Sequence, residues 1–257
     1  MHDEGCGGRS GKVVARLRGV ESIRLPASQS LGKGGTIEPV RFFFYCRNLP
    51  HFISNGGIYF VTFRLAGTIP LSVLEQFKRD NKTAILRAQG HASQIATVQL
   101  EKKQKGMLFR LIEDHLDYCR HGERLFAQDD LAEIVMSGIK KRDGTMYRLF
   151  ASTIMPNHVH MVLCLNEQES HPSSGKHDLG YRLANVIGSL KKRTSSMINC
   201  RLGRSGQLWQ YETFDHLVRN AEELERIVRY VLYNPVKAGL VKDPSEWKWN
   251  YWTTDYL

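Results

Sequence analysis

Apolar and polar positions alternate most cleanly over His158-Val159-His160-Met161-Val162-Leu163-Cys164-Leu165, which is the signature of a β-strand. Successive strand side chains point to opposite faces. His158, His160, Val162 and Cys164 therefore share one face, and Val159, Met161, Leu163 and Leu165 form the other, the face a sheet buries. Pro156 and Asn157 are turn residues, so the apolar run 147–155 reads as the antiparallel neighbour, with the histidines near the hairpin end. A β-branched and aromatic run after Gly56-Gly57 predicts a first strand over 58–65.

Helical spacing accounts for most of the rest. Pro70 leads into a helix over 71–77, and 82–119 reads as charged and largely helical, broken near Gly90 and Gly106. A further helix is expected over 132–141, before the Asp143-Gly144 turn. In 179–198, Leu183, Val186, Ile187, Leu190, Met197 and Ile198 recur on one side of an amphipathic helix. A last helix opens at Asn220, a good N-cap followed by Glu222 and Glu223 in the first turn, where acids suit the dipole. Leu224, Ile227, Val228, Val231 and Leu232 make its apolar face, and Pro235 is expected to end it near Asn234. Tyr230 and Asn234 are four apart and so lie one turn from each other on the same side. The elements are too few and too unevenly spaced for a doubly wound sheet. They predict an α+β fold: an antiparallel sheet of about four or five strands with helices on one face.

Candidate chemistry starts from the histidines. Two imidazoles side by side on a strand are well placed to share one divalent metal, although such pairs are also common on solvated faces. The sequence resembles the HUH single-tyrosine transposases, and within them the REP-associated tyrosine transposase branch, relatives of the insertion-sequence-200-like enzymes. Five segments carry the resemblance, in the family's order: 49–52 and 56–65 as the opening strand, Met155–His160 with His-hydrophobic-His, 206–210 and 214–216 before the tyrosine helix, Tyr230-x-x-x-Asn234, and Asn234–Val241 with Trp247-Lys248-Trp249 as the tail. It covers about residue 47 to the C-terminus.

The resemblance implies a ferredoxin-like, RRM-like fold and specific roles. His158 and His160 would hold a divalent metal, with Asn234 completing the site. An amide is a weak ligand, so the metal would be hard and exchangeable, Mg2+ or Mn2+. Tyr230 would attack a DNA phosphodiester, leaving a 5′-phosphotyrosine link and a free 3′-hydroxyl. Tyr233 competes for that role, but Tyr230 has the family's spacing to Asn234. The expected partner is single-stranded DNA, with hairpin-forming repeat ends, bound by a monomer or homodimer. Two other classes stay open: an RRM-like nucleic-acid-binding module without catalysis, and a hydrolytic metallonuclease that uses the histidines and a metal-bound water.

Composition adds less. The chain has 257 residues, 42% of them hydrophobic, and a net charge of +10, which suits a polyanionic partner. Lys191, Lys192 and Arg193, with Arg201 and Arg204 beyond them, form a candidate phosphate track, and Trp209 a candidate base-stacking ring. Cys6, Cys46, Cys119, Cys164 and Cys200 are widely spaced with no C-x-x-C, which argues against a disulfide framework or zinc finger. No run suits a membrane span and no signal-peptide core opens the chain, so a cytoplasmic, nucleoid-associated protein is expected. Residues 1–46, rich in Gly, Ser and Arg, read as an N-terminal extension, largely disordered, with the transposase-like domain over 47–257 and a helical insert at about 72–141.

Overall fold

A computed structural model of the chain describes residues 43–46, 50–53, 57–77, 79–80, 94–117, 121–166 and 182–253. Its strands are β1 (Phe43–Cys46), β2 (Pro50–Ile53), β3 (Ile58–Arg64), β4 (Tyr147–Ile154), β5 (His158–Leu165), β6 (Phe214–Leu217) and β7 (Asn250–Trp252). Its main helices are α1 (Gln94–Asp117), α2 (Asp129–Lys140), α3 (Arg182–Arg201) and α4 (Ala221–Lys237). Residues 71–77 are helical as expected.

The main sheet runs β6-β3-β5-β4-β7, antiparallel throughout. Without β7, the chain order β3–helix–β4–β5–helix–β6 and that strand order make the split βαβ arrangement of ferredoxin-like folds. β7 adds a fifth strand beside β4. The predicted hairpin is present: Ile154 pairs with Val159 across the Pro156-Asn157 turn. A bulge at Phe150 resets the alternation of β4, so Ala151 and Thr153 lie on the same face as Val162 and His160.

Both faces of the sheet are covered, not one. Tyr59, Val61, Phe63, Val159, Met161 and Leu163 pack against Leu131, Val135 and Ile139 of α2 and Leu183, Ile187 and Leu190 of α3. Phe60, Ala151, Val162 and Phe214 form the opposite core with Leu224, Val231 and Leu232 of α4, joined by Leu108 and Phe109 of α1. The reason lies in β3, where Ile58-Tyr59-Phe60-Val61-Thr62-Phe63 has almost no polar alternation and every position is buried. A strand apolar on both sides needs cover on both sides.

Three boundaries differ from the sequence reading. α1 continues through Gly106 without a break. α4 continues through Pro235 to Lys237, and its end is set by Gly239, whose φ of 71° only glycine adopts freely. There the amides of Gly239 and Leu240 close back on the carbonyls of Val236 and Pro235. Third, β1 lies inside the segment assigned to the extension and pairs with β2. The expected break near Gly90, most of 1–46, and Cys6 and Cys119 lie outside the described residues. Among the described residues, no helix is long and apolar enough to cross a membrane.

Candidate active site

β5 holds His158 and His160 beside β3, where they pair with Arg64 and Thr62. Both rings are fully buried. Their Nε2 atoms face each other at 3.0 Å. Each Nδ1 has its own partner: His158 Nδ1 lies 2.7 Å from Asn157 Oδ1, and His160 Nδ1 2.8 Å from Thr62 Oγ1. An amide oxygen only accepts, so His158 Nδ1 donates, and its Nε2 turns a lone pair into the centre. Asn157 is itself held, donating from Nδ2 to the carbonyl of Leu116 in α1 at 3.3 Å.

α4 brings Tyr230 to the same point. Its ring centroid is 5.6 Å from that of His160 and it meets Phe60 edge-on at 5.9 Å. Its hydroxyl donates to Glu113 Oε2. Glu113 comes from α1, is buried, and places Oε2 3.3 Å from His160 Nε2. Ligand-capable atoms of Glu113, His158 and His160 all lie within 4.8 Å of one another. One turn further along α1, Asp117 meets Lys237 of α4 at 2.6 Å, tying the two helices together beside the centre. Asn234 is buried on α4, and neither its Oδ1 nor its Nδ2 makes a hydrogen bond. Tyr233, by contrast, is 43% exposed.

The electrostatics match this closed geometry. Burial, and then the charge of His160, pulls the His158 imidazole well below its usual range. Burial, and then the Glu113 carboxylate beside it, pushes the Tyr230 hydroxyl far above its own. The centre thus resists a protonated His158 and resists a phenolate while Glu113 stands uncompensated. Two facing imidazole nitrogens and the Glu113 carboxylate, whose Oε1 has no hydrogen-bond partner, fit a divalent cation. Such a cluster can hold a cation against a phosphate and offer a hydroxyl as nucleophile.

The other predicted residues lie elsewhere. α3 packs on the opposite face of the sheet, so its basic cluster does not join the histidines. Lys191 Nζ donates to the carbonyls of Gln210 and Tyr211 at 2.6 and 3.0 Å and to Thr213 Oγ1 at 3.2 Å. Arg201 pairs with Asp130 at 3.0 Å and Arg204 with Glu123 at 2.7 Å. Lys192 and Arg193 are exposed. Trp209 corrects the stacking expectation: it is buried against Phe63 and Phe126, and its Nε1 donates to Thr194 Oγ1 at 3.0 Å. Its ring is built into the core.

Glu113 was missed by the reading of the sequence. A readable signal existed, since it sits between Phe109 and Leu116 at helical spacing, a carboxylate inside an apolar stripe.

No protein-family model matches the chain. Two curated relatives do. The REP-associated tyrosine transposase of Escherichia coli (strain K12) is 26% identical over 117 residues, which is 46% of this chain and 61% of that protein. A Haemophilus influenzae protein named for the same transposase is 26% identical over 110 residues, 42% of this chain and 61% of its own length. The matches thus span about three fifths of those relatives. The solved structure of a REP-associated tyrosine transposase bound to a REP hairpin aligns with a TM-score of 0.42 and 18% identity, over 80% of this chain and 82% of that one.

Proposed function

We propose that this chain is a metal-dependent, single-stranded DNA transposase that cleaves and rejoins DNA through a 5′-phosphotyrosine intermediate. The observation that carries the reading is that separate elements bring the Tyr230 ring, 5.6 Å from that of His160, and its hydroxyl, through Glu113, to the buried His158–His160 pair. The names of the two curated relatives support the same class.

His158 and His160 hold a divalent cation, Mg2+ or Mn2+, and the free Asn234 amide is available to complete its shell. When bound, the cation polarises the scissile phosphate and offsets its developing charge. Asn157 and Thr62 keep both imidazoles oriented through their Nδ1 atoms. Tyr230 gives up its hydroxyl proton as its oxygen bonds to phosphorus. The bond from phosphorus to the 3′-oxygen breaks, and that oxygen ends as a hydroxyl. The phosphotyrosine conserves the bond's energy, so rejoining needs no nucleotide cofactor. The substrate is single-stranded DNA bearing hairpin-forming repeat ends, acted on in the cytoplasm at the nucleoid by a monomer or homodimer. The catalytic domain spans about 47–257.

The test is a covalent-adduct assay. Protein is mixed with labelled single-stranded DNA from the flanks of its own gene, with Mn2+ or with EDTA, and run on a denaturing gel. A Mn2+-dependent shifted band that survives Tyr233→Phe and disappears in Tyr230→Phe is expected. Cleavage with no adduct would instead establish a hydrolytic metallonuclease, and binding without cleavage a recognition module.

A further inference from the structure

We propose that Glu113 is the third protein ligand of the cation, and that its carboxylate exchanges the Tyr230 hydroxyl for the metal when the cation enters. The inference rests on the metal-dependent reading above and deepens it.

Glu113 is 3% exposed and its Oε1 has no hydrogen-bond partner. Its Oε2 takes the Tyr230 hydroxyl and stands 3.3 Å from His160 Nε2. A buried carboxylate is expensive unless it is paired with a charge or a metal. Here one neighbour is an imidazole whose Nε2 already faces a second imidazole, and the other is a neutral hydroxyl. A divalent cation between His158, His160 and Glu113 answers all three groups at once. Two imidazoles and one carboxylate bind divalent ions more strongly than two imidazoles and an amide, and leave further positions for phosphate oxygens.

The exchange has a consequence for the nucleophile. While Glu113 holds the Tyr230 hydroxyl, its negative charge opposes formation of a phenolate. Once that charge is shared with a cation, the hydroxyl is released next to the phosphate-binding positions. Tyr230 and the cation therefore compete for one carboxylate, and removing the hydroxyl should help the cation bind.

The experiment is a double-mutant cycle on Mn2+ affinity, read by electron paramagnetic resonance of free Mn2+, with full-length protein stripped of metal and no DNA present. Thermal melts of the metal-free proteins check folding. Glu113→Gln should weaken Mn2+ binding at least tenfold. Tyr230→Phe should tighten it about three- to tenfold, and should have no effect in the Glu113→Gln background. Glu113→Asp, which retracts the carboxylate by one methylene, should fall between and serves if the glutamine variant folds poorly. Asn234→Ala should change affinity less than Glu113→Gln does. Wild-type affinity in both Glu113 variants would overturn the proposal while leaving the transposase reading intact, provided that His158→Ala abolishes binding and the wild type still forms its adduct. If the wild type binds no Mn2+ at millimolar concentration and forms no adduct, both fall together.

Discussion

Lys191 allows a stability prediction that is independent of the metal. Burial lowers its pKa from 10.5 to about 8, because the three oxygens its ammonium meets are neutral while the protein around it excludes water. The folded state therefore loses this proton near pH 8, and the unfolded state keeps it until near 10.5. Between those values the unfolded chain binds more protons, so stability must rise with pH. From pH 7 to 9.5 the gain from this one site works out at about 2 kcal/mol. Urea denaturation of wild type and Lys191→Met at both pH values isolates it, since all other titrating groups are common to the two proteins. The wild type should gain about 2 kcal/mol more than the variant over that interval. An equal pH response in both proteins would refute the argument, because it would mean that Lys191 titrates as it does in the unfolded chain.

Three further outcomes follow from the packing. Trp209→Ala empties a site bounded by Phe63 and Phe126 and removes the Nε1 donor to Thr194 Oγ1, so it should cost about 3–5 kcal/mol in chemical denaturation. A small loss of stability with a large loss of DNA affinity would restore the stacking role. Asn157→Ala removes the acceptor that fixes His158 Nδ1, and should weaken Mn2+ binding about 10- to 100-fold while the protein stays folded. An unchanged affinity in calorimetric titration would show that the imidazole orients itself. Gly122→Ala should destabilise by more than about 1 kcal/mol, because its φ is 77° and the added methyl would lie 2.9 Å from the Thr68 backbone. A melting temperature equal to wild type would mean that this turn relaxes freely.

The sequence made the histidine pair and the tyrosine helix legible for local reasons. Strand alternation places His158 and His160 on one face, and a four-residue step places Tyr230 and Asn234 on one side of a helix. Asn220 caps that helix as expected, its side chain accepting from the Glu223 amide. What was not legible was non-local. Lys191, Arg201 and Arg204 look like free cations in sequence, yet their partners, the 210–213 segment, Asp130 and Glu123, are brought to them only by the fold. Trp209 was misread for the same reason, since nothing near it in sequence announces Phe63 or Phe126. Pro235 was read as a stop, but the helix carries through it in its last turn to Lys237, and Gly239 provides the true end.

The centre also explains why a helix remote in sequence from the histidines matters to it. α1 supplies Glu113 to the ligand cluster, the Leu116 carbonyl to Asn157, Asp117 to Lys237 and Phe109 to the aromatic packing around Phe60 and Tyr230. Every one of these contacts reaches a group that holds, orients or neighbours the candidate ligands or nucleophile. The cost of the arrangement sits in the same place, as buried carboxylate, hydroxyl and amide atoms without partners. A cation that binds the folded centre and not the unfolded chain offsets that cost by mass action. The polar atoms that weaken the metal-free fold are therefore the ones that would make it a receptor for a cation and, through the cation, for a phosphate.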